Sequence, residues 1–388
     1  MTPIPLSAIS TPFWARVIAW QRAHGRRGLP WQNTRDAYRI WLSEVMLQQT
    51  QVATVLPYFT RFVADLPAVD ALAAAPLSRV LERWSGLGYY RRAHHLHAAA
   101  RIVVDRHAGQ VPSDAATLAT LPGIGRSTAA AIAVFASGER AAILDGNVKR
   151  VLARHRGIEG WTGAAPVEDR LWHAAESSLP AQSDIAADPA AIGGYTQGMM
   201  DLGATICVRV QPLCDACPVR ADCVAFAESR VGALPSPRPR KTLPRRAVTL
   251  LLLERDGAIL LEQRPPLGIW GGLWSFPEIP VERDVSSHVS ASYRVAAEVA
   301  EHMPPITHVF THFALTMHPV RIRVARETHG VEMPGVQWIA LDRAGSTAVP
   351  APIRKLLASL RPGPSTEEGS LPRVAGADAT MEALHSRR

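Results

Sequence analysis

Two carboxylates and four cysteines are the residues whose setting in this chain could do chemistry. Glu44 lies in the run YRIWLSEVMLQQTQVATVLPYFTRF, residues 38–62, whose apolar residues recur at helical spacing. It stands one turn after Ile40 and one before Leu47. An acid set among apolar neighbours is disfavoured as an anion, so its pKa should rise. A general acid near neutral pH needs that shift, whereas most helical glutamates are surface residues. Asp145 lies in the turn Asp145-Gly146-Asn147, which opens a helix expected over 148–156. An aspartate there commonly caps the helix by accepting from its early N–H groups. The four cysteines, Cys207, Cys214, Cys217 and Cys223, are spaced C-x6-C-x2-C-x5-C. Four thiolates so close together can wrap one tetrahedral centre, either zinc or a [4Fe–4S] cluster. Their confinement to one short loop suits a reduced compartment better than a disulfide framework.

These residues need elements to hold them. Leu121-Pro122-Gly123-Ile124-Gly125 reads as a hairpin between helical sequence at 115–120 and at 126–136. Gly123 and Gly125 keep its backbone bare, and the second helix turns its N-terminal N–H groups outward. Those N–H groups and the positive dipole end make a phosphate site that reads no base. Taken alone, a Gly-x-Gly between helices is usually only a turn. Trp84 to Arg92, WSGLGYYRR, is a glycine-bracketed loop. Its apolar and aromatic residues could wedge into the gap left by a flipped base. Arg91 and Arg92 would then meet phosphates. His94, His95 and His97 read as helix surface.

The 388 residues allow two or three domains, and 47% are hydrophobic, enough for a sizeable core. The net charge of +8 suits a polyanionic partner. No apolar run approaches a membrane span, and the N-terminus lacks the features of a secretory signal. Residues 235–246, PSPRPRKTLPRR, read as an extended basic linker. From residue 247 the pattern turns to strands: AVTLLLLE, a turn at Asp256-Gly257 and AILLEQ form a hairpin. HVFTHFALTMHPVRIRVA and VQWIAL read as further strands, and 352–360 as a short helix. Residues 361–388 are polar and read as a disordered tail.

Taken together, these motifs carry a resemblance. The hairpin followed twenty residues later by Asp145 resembles the helix-hairpin-helix, Gly/Pro…Asp superfamily of base-excision DNA glycosylases. WLSEVMLQQTQVATVLPYF is similar, nearly residue for residue, to the active-site helix of MutY-type adenine DNA glycosylases. GLGYY, the cysteine spacing and HVFTH also match that family. Gly272 to Glu278 keeps the first half of a Nudix box, but Ser286 to Ala291 stands where the metal-binding acids belong. The resemblance implies a multidomain chain with an all-α helix-hairpin-helix DNA glycosylase core over 1–234. A [4Fe–4S] loop at 207–223, the linker at 235–246 and a C-terminal α+β Nudix-like domain at 247–360 follow.

The implied activity is excision of adenine mispaired with 8-oxoguanine or guanine in double-stranded DNA. Glu44 would protonate the leaving adenine, and Asp145 would stabilise the oxocarbenium-like sugar, a division of labour shared with glycosidases. The implied DNA contacts are Gln49, Thr50, Leu87, Tyr89, Gly123, Gly125, Ser127 and Gln197. Phe310, Thr311 and His312 would sense 8-oxoguanine, although the family more often has serine where Thr311 stands. The implied cofactor is the [4Fe–4S] cluster on the four cysteines. The expected protein is an intracellular, nucleoid-associated monomer in the cytoplasm, without a membrane partner. The chief alternative is an endonuclease III-like pyrimidine glycosylase/AP lyase, whose nucleophilic lysine falls where this chain has Ser127. A non-catalytic iron–sulfur DNA-binding protein and a nucleotide pyrophosphatase are weaker alternatives. The first is opposed by the two carboxylates, the second by the missing acids.

Overall fold

The alanine-rich run after the hairpin organises the helical half of the chain. In the computed structural model this run is the helix Arg126–Ser137, and it is apolar on two opposed faces. Ala129, Ile132 and Ala133 belong to one buried cluster, and Ala130, Ala131 and Val134 to another. Small side chains let helices approach from both sides, so this one helix is the partition between two lobes. The structure describes residues 11–239, 242–266, 268–293, 295, 297–324, 333–344 and 347–360. The tail expected at 361–388 lies outside the described residues.

The helices run in order: α1 Phe13–His24, α2 Ala37–Leu47, α3 Val52–Asp65, α4 Val69–Ala74, α5 Leu77–Trp84, α6 Arg91–His107, α7 Ala115–Leu118 and α8, the partition. Then come α9 Gly146–His155, α10 Ala165–Ser177, α11 Gln182–Ala187, α12 Ala191–Asp201 and α13 Val224–Ala227. One lobe buries Trp41, Phe59, Phe62 and Trp84 from α2, α3 and α5. Each such phenylalanine contributes roughly 1.5–3 kcal/mol by its burial. The other lobe closes α1, α9, α10 and α12 around α8.

The helix expected across 38–62 is two helices. Between α2 and α3, Gln49 adopts a left-handed backbone with φ of 58°. The polar run Gln48-Gln49-Thr50-Gln51 interrupts the apolar pattern there. The Arg92 guanidinium also takes the carbonyls of Val45, Met46 and Gln48, which a continuing helix would need for its own N–H groups.

Among the described residues, the second half holds an eight-stranded sheet. Its strands are β1 Arg245–Arg255, β2 Ala258–Gln263, β3 Trp274–Ser275, β4 Glu278–Ile279, β5 Ala297–His302, β6 Ile306–Val309, β7 Ala314–Val324 and β8 Val336–Ala340. β1 and β7 are parallel, and the other pairings are antiparallel. The apolar run of β1 is buried on both faces. Leu250 and Leu252 join one cluster, with Ile353, Leu356 and Leu357 of α16, Ala351–Ser359. Leu251 and Leu253 join another, with Val289 and Tyr293 of α14, Val285–Tyr293. A short α15, Leu341–Ala344, follows β8. Asp256 and Gly257, with φ of 48° and 74°, turn β1 into β2 as expected.

Contacts tie the sheet to the helices. Leu273 and Ala348 belong to the buried cluster of the first lobe. The Ser85 and Tyr90 hydroxyls donate to the Val349 carbonyl at 3.5 and 3.3 Å, and His94 Nε2 donates to the Gly271 carbonyl at 2.9 Å. His94 is thus an interface residue rather than free surface. His97 donates to the Ala75 carbonyl at 2.9 Å. The linker is also less free than its composition implies. Ser236 bridges to Trp161 and the Arg238 guanidinium lies 5.6 Å over the Trp161 ring, while just before the linker the Leu234 carbonyl accepts from Arg154 Nε at 2.8 Å. Among the described residues no helix is long and apolar enough to cross a membrane.

Candidate active site

Two elements meeting from opposite lobes set the two carboxylates. Glu44 sits in the last full turn of α2 and lines a cavity of about 390 Å3 with Arg26, Trp31, Gln32, Gln197 and Met200. Its carboxyl is pushed from an ordinary 4.5 up to about 8, first by burial and then by the charge of Asp145. Asp145 is the N-cap of α9, and one of its oxygens accepts from Asn147 N at 3.0 Å and Val148 N at 2.8 Å. Burial raises its pKa, while these N–H groups and Arg150 oppose the shift. The capping and functional expectations for Asp145 are therefore compatible. A half-buried carboxylate supplied with donors stands within electrostatic reach of an acid that keeps its proton at neutral pH.

The hairpin glycines differ from each other. Gly123 is left-handed, with φ of 79°, and an added Cβ would lie 2.6 Å from the His95 Cβ. Gly125 caps α8 from an extended backbone, and nothing lies within 4 Å of the Cβ it lacks. The fold requires glycine at Gly123; at Gly125 it leaves open space before a helix N-terminus. Ser127 accepts from Leu144 N at 2.9 Å, tying the start of α8 to the residue before Asp145.

The wedge loop departs from expectation in two ways. Leu87 is 5% exposed and packs into the core, so it forms no tip. Tyr89 is 50% exposed and left-handed, with φ of 50°. Arg92 is buried and bonded to backbone carbonyls rather than turned toward solvent, so it cannot meet phosphates. Gln49 is exposed, whereas the Thr50 hydroxyl is engaged by Arg92 Nη2 at 3.1 Å. Gln197 faces the Glu44 cavity and donates to Asp201 Oδ1 at 2.9 Å.

Sequence reasoning missed Asp201, which is fully buried and accepts from Arg26 Nε at 2.6 Å and Arg26 N at 3.0 Å. Its signal was available: it lies one helical turn after Gln197. It also passed over Arg150, whose Nη2 donates to Asn147 Oδ1 at 2.8 Å and to the Gly203 carbonyl.

All four cysteines line one pocket, together with Val151 and Arg154 of α9. Burial pushes the Cys217 thiol up to about 12 and raises Cys214 and Cys223 as well. Thiols so placed remain protonated unless a metal supports the thiolate. Arg154 Nη1 lies 3.4 Å from Cys207 Sγ, a donor suited to ligating sulfur. Among the described residues no three His, Cys, Asp or Glu side chains are grouped as a single ion would require.

In the sheet domain the run read as one strand from His308 is a hairpin. Phe310, Thr311, His312 and Phe313 form its turn, closed by Phe310 N donating to the Phe313 carbonyl at 2.8 Å. Phe310 stacks on Phe313 at 4.6 Å and packs against Trp270 at 5.5 Å, while Thr311 and His312 are exposed. Glu278, the acid left from the Nudix box, is paired with Arg264 at 2.6 Å.

Two family models match. Residues 42–177 match the HhH-GPD superfamily base excision DNA repair protein, and residues 248–359 match the NUDIX domain. The class is thus a base-excision repair protein carrying a Nudix domain. An adenine DNA glycosylase of Buchnera aphidicola (subsp. Acyrthosiphon pisum) is 33% identical, the alignment covering 89% of this chain and 96% of the relative. That of Mus musculus is also 33% identical, over 89% of this chain and 77% of its own. A solved thermostable thymine-DNA glycosylase aligns with 56% of this chain and 95% of its own, at 27% identity and a TM-score of 0.48. The chain belongs to the adenine DNA glycosylase family.

Proposed function

We propose that the protein removes adenine from duplex DNA where it is paired with 8-oxoguanine or guanine, by hydrolysis of the N-glycosidic bond. The observation that carries this reading is the pairing of a raised-pKa Glu44 with an N–H-supported Asp145 across the two lobes. The base leaves the stack, at a cost of a few kcal/mol that a mispair lowers. Glu44 gives its proton to the flipped adenine. The bond from sugar C1′ to the base breaks, its electrons go to the base, and adenine departs neutral. Asp145 holds the positive charge left on the sugar. Water then adds to C1′, and its released proton restores Glu44. No amine stands at Ser127, so this reading assigns hydrolysis rather than lyase chemistry.

Gln49 and Thr50 would meet the base pair, Tyr89 would wedge with Leu87 beneath it, and Gln197 would border the adenine. Gly123, Gly125 and Ser127 would present the hairpin to the backbone. Gly125→Ala tests the last of these. The fold has room for the methyl, so the melting temperature should stay close to that of the wild type. The methyl would occupy the phosphate's approach, so duplex affinity should fall about tenfold in a filter-binding titration.

Thr311 and His312, exposed on a turn braced by Phe310, would read the 8-oxoguanine strand. A Phe310→Ala, His312→Ala variant should excise adenine opposite 8-oxoguanine about tenfold more slowly, a loss equivalent to about 1.4 kcal/mol. Excision opposite guanine should change much less. Comparing single-turnover rates on the two duplexes checks this, and an unaltered ratio would remove the role.

The four cysteines would hold a [4Fe–4S] cluster, which supplies structural closure of residues 207–223 when bound. Four thiols lining one pocket support a four-thiolate centre at this site. Purified protein should contain about four iron and four sulfide per chain. One zinc and no visible absorbance would support the other reading. With chromosomal DNA as substrate, the protein would act as a monomer in the cytoplasm, on the nucleoid.

A further inference from the structure

We propose that Arg92 is a positioning residue that locks the wedge loop to the end of the helix carrying Glu44, so that seating Tyr89 and placing the acid are one event. This rests on the roles proposed above for Tyr89 and Glu44. The side chain is 9% exposed. Its Nη1 donates to the carbonyls of Val45, Met46 and Gln48 at 2.9, 2.7 and 2.6 Å. Carbonyls at a helix C-terminus lack intrahelical partners, and a cation there also meets the negative dipole end. Nη2 reaches Thr50 Oγ1 at 3.1 Å and the Gly88 carbonyl at 3.3 Å. The guanidinium lies 5.2 Å from the Tyr89 ring centroid.

Two non-glycine residues in left-handed conformations, Gln49 and Tyr89, adjoin the groups that Arg92 holds. Such conformations persist when surrounding structure over-determines them, and they gather where strain serves function. One guanidinium pins both. A shift of the Gly88–Tyr89 backbone on entering the duplex therefore pulls on the last turn of α2, next to Glu44. A surface arginine at this position would meet phosphates and leave α2 unaffected. The buried one spends its hydrogen bonds on α2 and the wedge loop.

The test uses the full-length protein with Arg92→Lys and Arg92→Met, each crossed with Tyr89→Ala. Single-turnover rates on adenine opposite 8-oxoguanine are measured against pH at saturating enzyme, together with duplex Kd and melting temperature. Arg92→Met should slow excision about 100-fold and Arg92→Lys about tenfold, since lysine restores the charge but not the planar fork. Kd should change less than the rate. The alkaline limb should move to lower pH in both variants, because a loosened α2 end admits water to Glu44. Tyr89→Ala should cost less on the Arg92 variants than on the wild type.

A rate close to wild type in Arg92→Lys with an unmoved limb would overturn the proposal, as would costs that simply multiply. A lowered melting temperature with an unmoved limb would make Arg92 structural only, and would also overturn it. If Arg92→Met does not fold, the lysine cycle decides. A silent Glu44→Gln or Tyr89→Ala on its own would instead remove the site reading on which the proposal rests.

Discussion

Glu44→Gln is expected to lower the single-turnover rate of adenine release by at least about 10²–10⁴, the contribution of a positioned general acid. Glutamine keeps the shape and a hydrogen-bonding end but cannot give up a proton. Duplex affinity should persist, because the cavity wall keeps its form. The wild-type rate should fall as pH rises through about 8, where Glu44 loses its proton, and the variant should lack that limb. Stability carries the same signature. Between an ordinary 4.5 and about 8 the folded protein holds a proton that the unfolded chain has released. Its stability therefore falls as pH rises across that window. Glu44→Gln should melt higher than the wild type at pH 7.5, and the gap should close at pH 4. Near wild-type excision in this variant would remove Glu44 from the chemistry.

Asp145→Asn is expected to have the second largest effect. Asparagine caps a helix about as well as aspartate, so α9 should keep its start and the protein its fold. What is lost is the negative charge facing the sugar, and removing one such electrostatic stabiliser typically costs about 10²–10³ in rate. A second effect follows from the shared field. Part of the upward shift at Glu44 comes from the charge of Asp145, with burial the larger part. Any residual activity should therefore lose its alkaline limb at a lower pH than the wild type. An unshifted limb would mean that the two carboxylates do not sense each other. A fall in melting temperature matching the loss of rate would mean that Asp145 is a cap and nothing more.

The elements that followed from local pattern were readable in the sequence. Helical pattern marked α8, Asp256-Gly257 marked the β1–β2 turn, and the apolar run AVTLLLLE marked β1 as a strand, while its burial on both faces emerged only in the fold. The direction of the Glu44 shift followed from its apolar neighbours, whereas the part that Asp145 adds did not. What was missed depended on partners distant in sequence. Arg92 looked like a phosphate ligand because it follows another arginine in a glycine loop. The Val45 and Met46 carbonyls that hold it lie more than forty residues earlier, at the end of α2. The same distant partner explains why one expected helix is two. Leu87 shared its loop with Tyr89, and sequence could not say which of them the core would take. Asp201 went unweighed because its cation, Arg26, is 175 residues away.

The linker was misjudged for a related reason. Proline and charge predict an extended chain, but Ser236 and Arg238 both find Trp161 on the helical domain. Composition reports what a segment can do alone. Packing against a formed surface is decided elsewhere in the chain.

The most direct measurement of the central claim combines release of the base with the fate of the strand. Purified protein is incubated under single-turnover conditions with a duplex bearing adenine opposite 8-oxoguanine. Free base is identified by chromatography, and the strand is examined with and without alkali and after borohydride. Free adenine, strand breaks that need alkali and little trapped protein–DNA adduct are the results that a Glu44–Asp145 hydrolase predicts. Absence of free adenine, or release of a pyrimidine with a strongly trapped adduct, would contradict it.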